Sequence, residues 1–181
     1  MNPPFIISVG NSEISVNVAV SKDHIVIPRY PKRNKITEAL ALRVPVDSMP
    51  VSLGQGLRQL QSKPELAYLS LTLSAVSKYS KIPPSYQQDI DNGLVIKLDE
   101  KVSGFSRYNY KKLTGATVAP YLLVSERQIL YCVKLCLVHG NIPGELHYKF
   151  SIYPEGIENL FEFESLVVRL ITTYLKLAKG Q

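Results

Sequence analysis

The sequence predicts an α+β domain: a mostly antiparallel sheet of about seven or eight strands, with a C-terminal amphipathic helix and one shorter helix packed on it. Three observations lead there. Many segments alternate apolar and polar residues with the period of two that a half-buried strand requires. These segments follow one another through turn residues instead of alternating with helices, which argues against a parallel, Rossmann-type fold. The C-terminal stretch switches to helical periodicity. At 181 residues the chain is long enough to bury a full core as one domain spanning 1–181.

In chain order, Phe5–Val9 reads as a strand closed by the turn pair Gly10-Asn11. Ile14, Val16, Val18 and Val20 then alternate with polar or small residues as a second strand, and His24–Ile27 is a short extended piece ended by Pro28. Leu40, Leu42, Val44 and Val46 alternate again, and Pro45 suggests an edge position. Ser48–Ser62 reads as the shorter helix, with Leu53, Leu57 and Leu60 at helical spacing and Ser48 or Ser52 as cap. Its Gly54 and Gly56 are no nucleotide-binding loop, because the GxGxxG pattern fails at Gln59. Leu66–Val76 is a strand with Leu69, Leu71, Leu73 and Ala75 on one face. Lys78–Asp91 reads as a polar connection, Asn92-Gly93 as a turn, Leu94–Leu98 as a short strand and Asp99–Gly115 as loop. Tyr121–Val124 is a short strand or a helix start.

The most legible block runs from Ile129 to Lys179. Ile129–His139 reads as one strand, apolar on both faces and therefore central. In its partner Leu146, Tyr148, Phe150 and Ile152 face inward while Glu145, His147, Lys149 and Ser151 face outward. The helix that follows aligns Phe163, Leu166, Val167, Leu170, Ile171 and Tyr174 on one stripe. Glutamates 158, 162 and 164 stand at its start and Lys176 and Lys179 at its end, as the helix dipole favours.

Composition narrows the functional classes. With 45% hydrophobic and 20% charged residues the chain is globular, not disordered. A net charge of +6 favours a polyanionic partner, either a nucleic acid or an anionic membrane surface. The N-terminus shows no signal-peptide pattern, and no apolar run is long enough to cross a bilayer, so a soluble or peripheral protein is expected. Cys132 and Cys136, four apart on one expected strand, would lie about 13 Å from each other, too far for a disulfide. That leaves a reducing compartment or buried thiols as the two readings. No metal or cofactor site is expected, since two cysteines and three scattered histidines supply too few local ligands.

No catalytic signature is present: His24, His139 and His147 lack a nucleophile or carboxylate at motif spacing, so a non-enzymatic protein is expected. His147 reads as a solvent-facing strand residue and His139 as a turn residue. The binding candidates are two basic clusters and one proline motif. Arg29, Lys32, Arg33 and Lys35 form an expected exposed loop, barred from regular structure by two prolines, and the run PKRNK doubles as a weak nuclear-import pattern. Arg107, Lys111 and Lys112 interleave with Tyr108 and Tyr110. Cations of this kind neutralise phosphates, and the tyrosines stack on bases or settle at a lipid interface. PPSY (Pro83, Pro84, Tyr86) matches the PPxY pattern that WW domains take in the polyproline II form; its bland alternative is a proline-rich turn.

A small basic chain with a PPxY and an alternating strand leading through an acidic turn into a helix (GELHYKFSIYPEGIENLFEFES, residues 144–165) resembles the matrix proteins of non-segmented negative-strand RNA viruses. The small rhabdovirus-type members, including those of plant rhabdoviruses, are closest in size. The resemblance implies a non-enzymatic virion protein that self-associates into homo-oligomers and bridges anionic membrane to ribonucleoprotein during assembly and budding. It assigns the basic loops to membrane or RNA contact and PPSY to recruitment of a WW-domain protein. It places the chain in host cytoplasm, at the membrane and in the virion. Animal-virus members carry PPxY in a long lysine-rich arm, whereas here a strand begins at Phe5 and PPSY lies mid-chain. The competing readings are a nucleic-acid-binding accessory protein, such as a viral suppressor of RNA silencing, and a small hydrolase or transferase whose site is assembled from distant residues.

Overall fold

A computed structural model describes residues 4–27, 36–75, 83–111 and 118–180. Among them the strands are β1 Phe5–Gly10, β2 Ser15–Val20, β3 Ile25–Ile27, β4 Ile36–Thr37, β5 Ala39–Pro45 and β6 Tyr68–Ala75, then β7 Val95–Val102, β8 Phe105–Tyr110, β9 Tyr121–Val124, β10 Ile129–Cys132, β11 Cys136–Ile142 and β12 Leu146–Ile152. The α-helices are α1 Val51–Leu60, α2 Pro84–Asp91 and α3 Leu160–Lys179. Nine strands form one antiparallel sheet in the order β3-β5-β6-β12-β11-β10-β9-β8-β7, and β2-β1-β4 form a second, smaller sheet. The fold is α+β with α3 and the shorter α1 packed on the long sheet, as the alternation and the C-terminal helical period predict.

One face of the long sheet carries the main core. Leu40, Leu42 and Val44, Leu69, Leu71 and Leu73, and Leu146, Phe150 and Ile152 are all buried there against Phe163, Val167 and Ile171 of α3, Leu53 and Leu57 of α1, and Val18 and Val20 of β2. Two close approaches fix this layer. Any side chain at Gly54 would meet the Val46 carbonyl oxygen, and any at Gly140 would meet the Tyr148 ring. The Tyr148 ring crosses Gly140 and donates its hydroxyl proton to Glu164 Oε1 of α3, 2.6 Å away and buried. Asn159 Nδ2 donates to the Leu60 carbonyl (3.0 Å), tying the start of α3 to the end of α1.

Several expectations need correction. Ile129–His139 is not one strand but two. The chain reverses over residues 133–135, where the Val133 N–H donates to the Leu135 carbonyl (3.1 Å). Cys132 and Cys136 thereby become cross-strand partners with Cα atoms 4.0 Å apart, joined in a disulfide. The cysteines are therefore not free thiols, and the argument for a reducing compartment loses its basis. Cross-strand partners share a face, so Leu130, Cys132, Cys136 and Val138 still lie together in the core. His139 sits within β11, not in a turn, and His147 is buried at 9% exposure. β5 is not an edge strand, because the short β3 pairs outside it; Pro45 is tolerated as the strand's last residue.

The expected loop at 99–115 is largely a hairpin, in which Ser103 and Gly104 both take positive φ (49° and 88°) between the paired Val102 and Phe105. That is the two-residue turn whose twist suits a hairpin. The expected connection at 78–91 ends in α2, which Pro84 can open because the first helical position needs no backbone donor. Neither Ser48 nor Ser52 caps α1; Pro50 takes the N-cap position, and the Ser48 hydroxyl donates to the Pro45 carbonyl instead. α2 covers part of the sheet's second face over a small core of Val95, Leu122 and Ile129, joined by Tyr86, Ile90, Tyr108, Tyr110 and Tyr131.

Candidate functional site

The strand register gives the long sheet two distinct ends. At one, Tyr68 pairs with Pro45, Cys136 with Ile152, and Tyr121 with Cys132. At the other, Ser74 pairs with both Ala39 and His147, and Ile142 with Leu146.

The Tyr68 end is closed on itself. Three cations lie over tyrosine rings there: Arg43 over Tyr68 (4.0 Å), Lys63 over Tyr153 (4.9 Å) and Arg107 over Tyr121 (4.2 Å). Two also meet carboxylates, Lys63 with Glu155 at 3.7 Å and Arg107 with Glu100 at 3.5 Å. Each of these cations gains from the ring quadrupole, and Lys63 and Arg107 keep an acid nearby as well. The Cys132–Cys136 disulfide closes a hairpin at the same end. A shallow hollow of about 310 Å³ lies between Arg43, Lys63, Tyr68, Ser70, Ser151 and Tyr153.

The Ser74 end is different. Ser74 Oγ lies 3.3 Å from His147 Nδ1, and His147 Nε2 lies 3.4 Å from His139 Nδ1, a polar chain on the sheet's second face. The Tyr86 ring of α2 meets His139 edge-on at 5.9 Å and stacks on Tyr131 at 5.7 Å. Burial, then His147 and Lys149, lower the His139 pKa to about 4; burial and Lys149 also lower that of His147. Both rings are thus neutral near pH 7. Sequence reading missed this pair because the two residues lie eight apart and on opposite arms of a hairpin, with no local motif.

The sequence candidates fall as follows. Arg29, Lys32, Arg33, Lys35 and Lys112 lie outside the described residues. The structure does not join Arg107 and Lys111 into one patch: Arg107 is engaged with Tyr121, Glu100 and Asn109, while the exposed Lys111 backs onto the turn at Gly93. In PPSY, Pro83 is extended (φ −61°, ψ 131°), but Pro84 already starts α2 and Tyr86 is half-buried against Tyr131. Docking the motif in polyproline II form requires the first turn of α2 to unwind.

Charge is partitioned more sharply than position. Seven of the 21 lysines and arginines (Arg29, Lys32, Arg33, Lys35, Lys78, Lys81 and Lys112), and none of the 15 acids, fall outside the described residues; those described carry the remaining 14 cations against all 15 carboxylates. The described body is thus near neutral. Six of the seven belong to segments 28–35 and 76–82, whose flanking residues Ile27, Thr37 and Ala75 lie toward the Ser74 end: Ile27 pairs with Ala41, the Thr37 hydroxyl donates to the Ala39 carbonyl, and Ala75 pairs with Leu146.

No helix among the described residues is long and apolar enough to cross a membrane, and no group of three or more metal-binding side chains occurs among them. No family model matches the chain, and no curated protein matches it. The crystal structure of the Neisseria meningitidis iron-regulated outer membrane lipoprotein FrpD is similar over 97% of each chain, at 8% identity and a TM-score of 0.46. A likeness that distant carries no argument about function.

Proposed function

We propose that this chain is a non-enzymatic, matrix-type structural protein that self-associates and meets an anionic membrane surface through its basic segments. The observation that carries this reading is the charge distribution along the chain: segments 28–35, 76–82 and 112–117 hold seven lysines and arginines and no acid, against 14 cations and 15 carboxylates among the described residues. Each lysine or arginine close to an anionic leaflet contributes about 1 kcal/mol of attraction. Segments 28–35 and 76–82 also interleave a tyrosine, Tyr30 and Tyr79, with their cations, a composition suited to a headgroup interface. Self-association has a candidate surface in the helix layer, where Phe161 (79% exposed) and Val51 (73%) stand in solvent.

Two measurements test this. Sedimentation velocity over a range of protein concentrations is expected to show reversible oligomers. Co-sedimentation is expected with phosphatidylserine vesicles but not phosphatidylcholine vesicles, weakening as salt rises. A chain that stays monomeric and ignores anionic vesicles overturns the reading. Tight binding to single-stranded RNA without vesicle binding replaces it with the nucleic-acid-binding accessory protein.

A further inference from the structure

The His139–His147 pair has a geometry that its hydrogen bond does not require. Two imidazole nitrogens bound to one tetrahedral zinc ion at about 2.0–2.1 Å stand roughly 3.3–3.4 Å apart. His139 Nδ1 and His147 Nε2 are 3.4 Å apart, on adjacent strands whose backbone register fixes them. A square-planar ion with the same bond lengths sets its neighbouring nitrogens about 2.8–2.9 Å apart, so the spacing suits the tetrahedral class. Ser74 Oγ, 3.3 Å from His147 Nδ1, accepts the proton that this ring must carry on Nδ1 for Nε2 to be a ligand.

We propose that His139 Nδ1 and His147 Nε2 form a two-histidine zinc site on the second face of the long sheet, with Ser74 orienting His147 and water filling the other two positions. The ion replaces the hydrogen bond between the rings: the bridging proton moves through solvent to the outer nitrogen of the ring that held it, so that His139 carries its one proton on Nε2, His147 carries its one on Nδ1, and both rings are neutral. Lys149, directly across the strand pair from His139, opposes the ion by charge and limits the affinity. The cysteines do not compete, because they are bound to each other.

The test is titration of the intact, non-reduced chain with Zn2+ by calorimetry, with Co2+ absorbance as the probe of tetrahedral geometry. One zinc per chain is expected. His139→Gln and His147→Gln should each abolish binding, Ser74→Ala should weaken it about tenfold, His24→Gln should leave it unchanged, and Lys149→Met should tighten it. Circular dichroism on each variant separates lost ligation from lost fold, and zinc-dependent shifts of the two ring resonances in the wild type need no variant at all. Absence of zinc binding, shifts confined to His24, or binding that survives His147→Gln in a folded variant overturns the proposal.

Discussion

The two ends of the long sheet are built from similar residues and arranged to opposite effect. At the Tyr68 end every stacked cation has a ring and two of the three also have a carboxylate, and a disulfide closes the hairpin between them. At the Ser74 end the polar groups are a buried and a half-buried imidazole and a serine, and described residues flanking two segments rich in lysine and arginine lie nearby. A cation satisfied by its own chain adds to stability and offers little to a partner. Segments 28–35 and 76–82 carry six cations and no acid of their own. The comparison therefore predicts that changes at the Tyr68 end are felt in stability, whereas neutralising the basic segments is felt in binding.

The largest stability effect is expected beneath the Ser74 end, on its packed face. Gly140→Ala drives a methyl group into the Tyr148 ring and pulls the hydroxyl from Glu164, which should cost about 2–4 kcal/mol in urea denaturation. At the Tyr68 end, replacing both cysteines by serine should cost about 2 kcal/mol, because the disulfide closes a loop of only a few residues and removes little chain entropy. A pH titration of stability gives the next effect. The unfolded chain takes up a proton on His139 near pH 6.5, the folded chain only near 4, so stability is complete above about pH 7 and falls as pH drops through that window. His147, lowered in the same direction, adds to the loss. Discounted for solvent screening, thermal melts should record about 1–2 kcal/mol. The smallest change is expected from Lys63→Ala or Arg107→Ala, below about 1 kcal/mol each, since both pairs are partly exposed.

Much of the fold was legible because period-two and period-3.6 patterns report which face is buried, and burial dominates here. Leu146, Tyr148, Phe150 and Ile152, and the stripe from Phe163 to Tyr174, were readable for that reason. What escaped was reversal without turn chemistry. Val133, Lys134 and Leu135 contain no glycine, proline, asparagine or aspartate, and the alternation passes through the turn without a break, so one strand stood for two. That error separated cysteines that are joined. The histidine pair was invisible for a related reason: it depends on a diagonal across a hairpin, and sequence spacing carries register only when the turn is known. α2 escaped because proline reads as a breaker, although at a helix's first position it is an initiator.

Flotation on phosphatidylserine vesicles compares the two sets of cations most directly, using three proteins side by side: the wild type, a variant with Arg29, Lys32, Arg33 and Lys35 changed to alanine, and a variant with Lys63 and Arg107 changed to alanine. The wild type should float and be released by salt. Neutralising these four charges should weaken partitioning by about 4 kcal/mol, roughly a thousandfold, with no change in melting temperature. The Lys63/Arg107 variant should float like the wild type and melt slightly earlier. Full flotation of the four-site variant, or loss of flotation in the Lys63/Arg107 variant alone, contradicts the assignment.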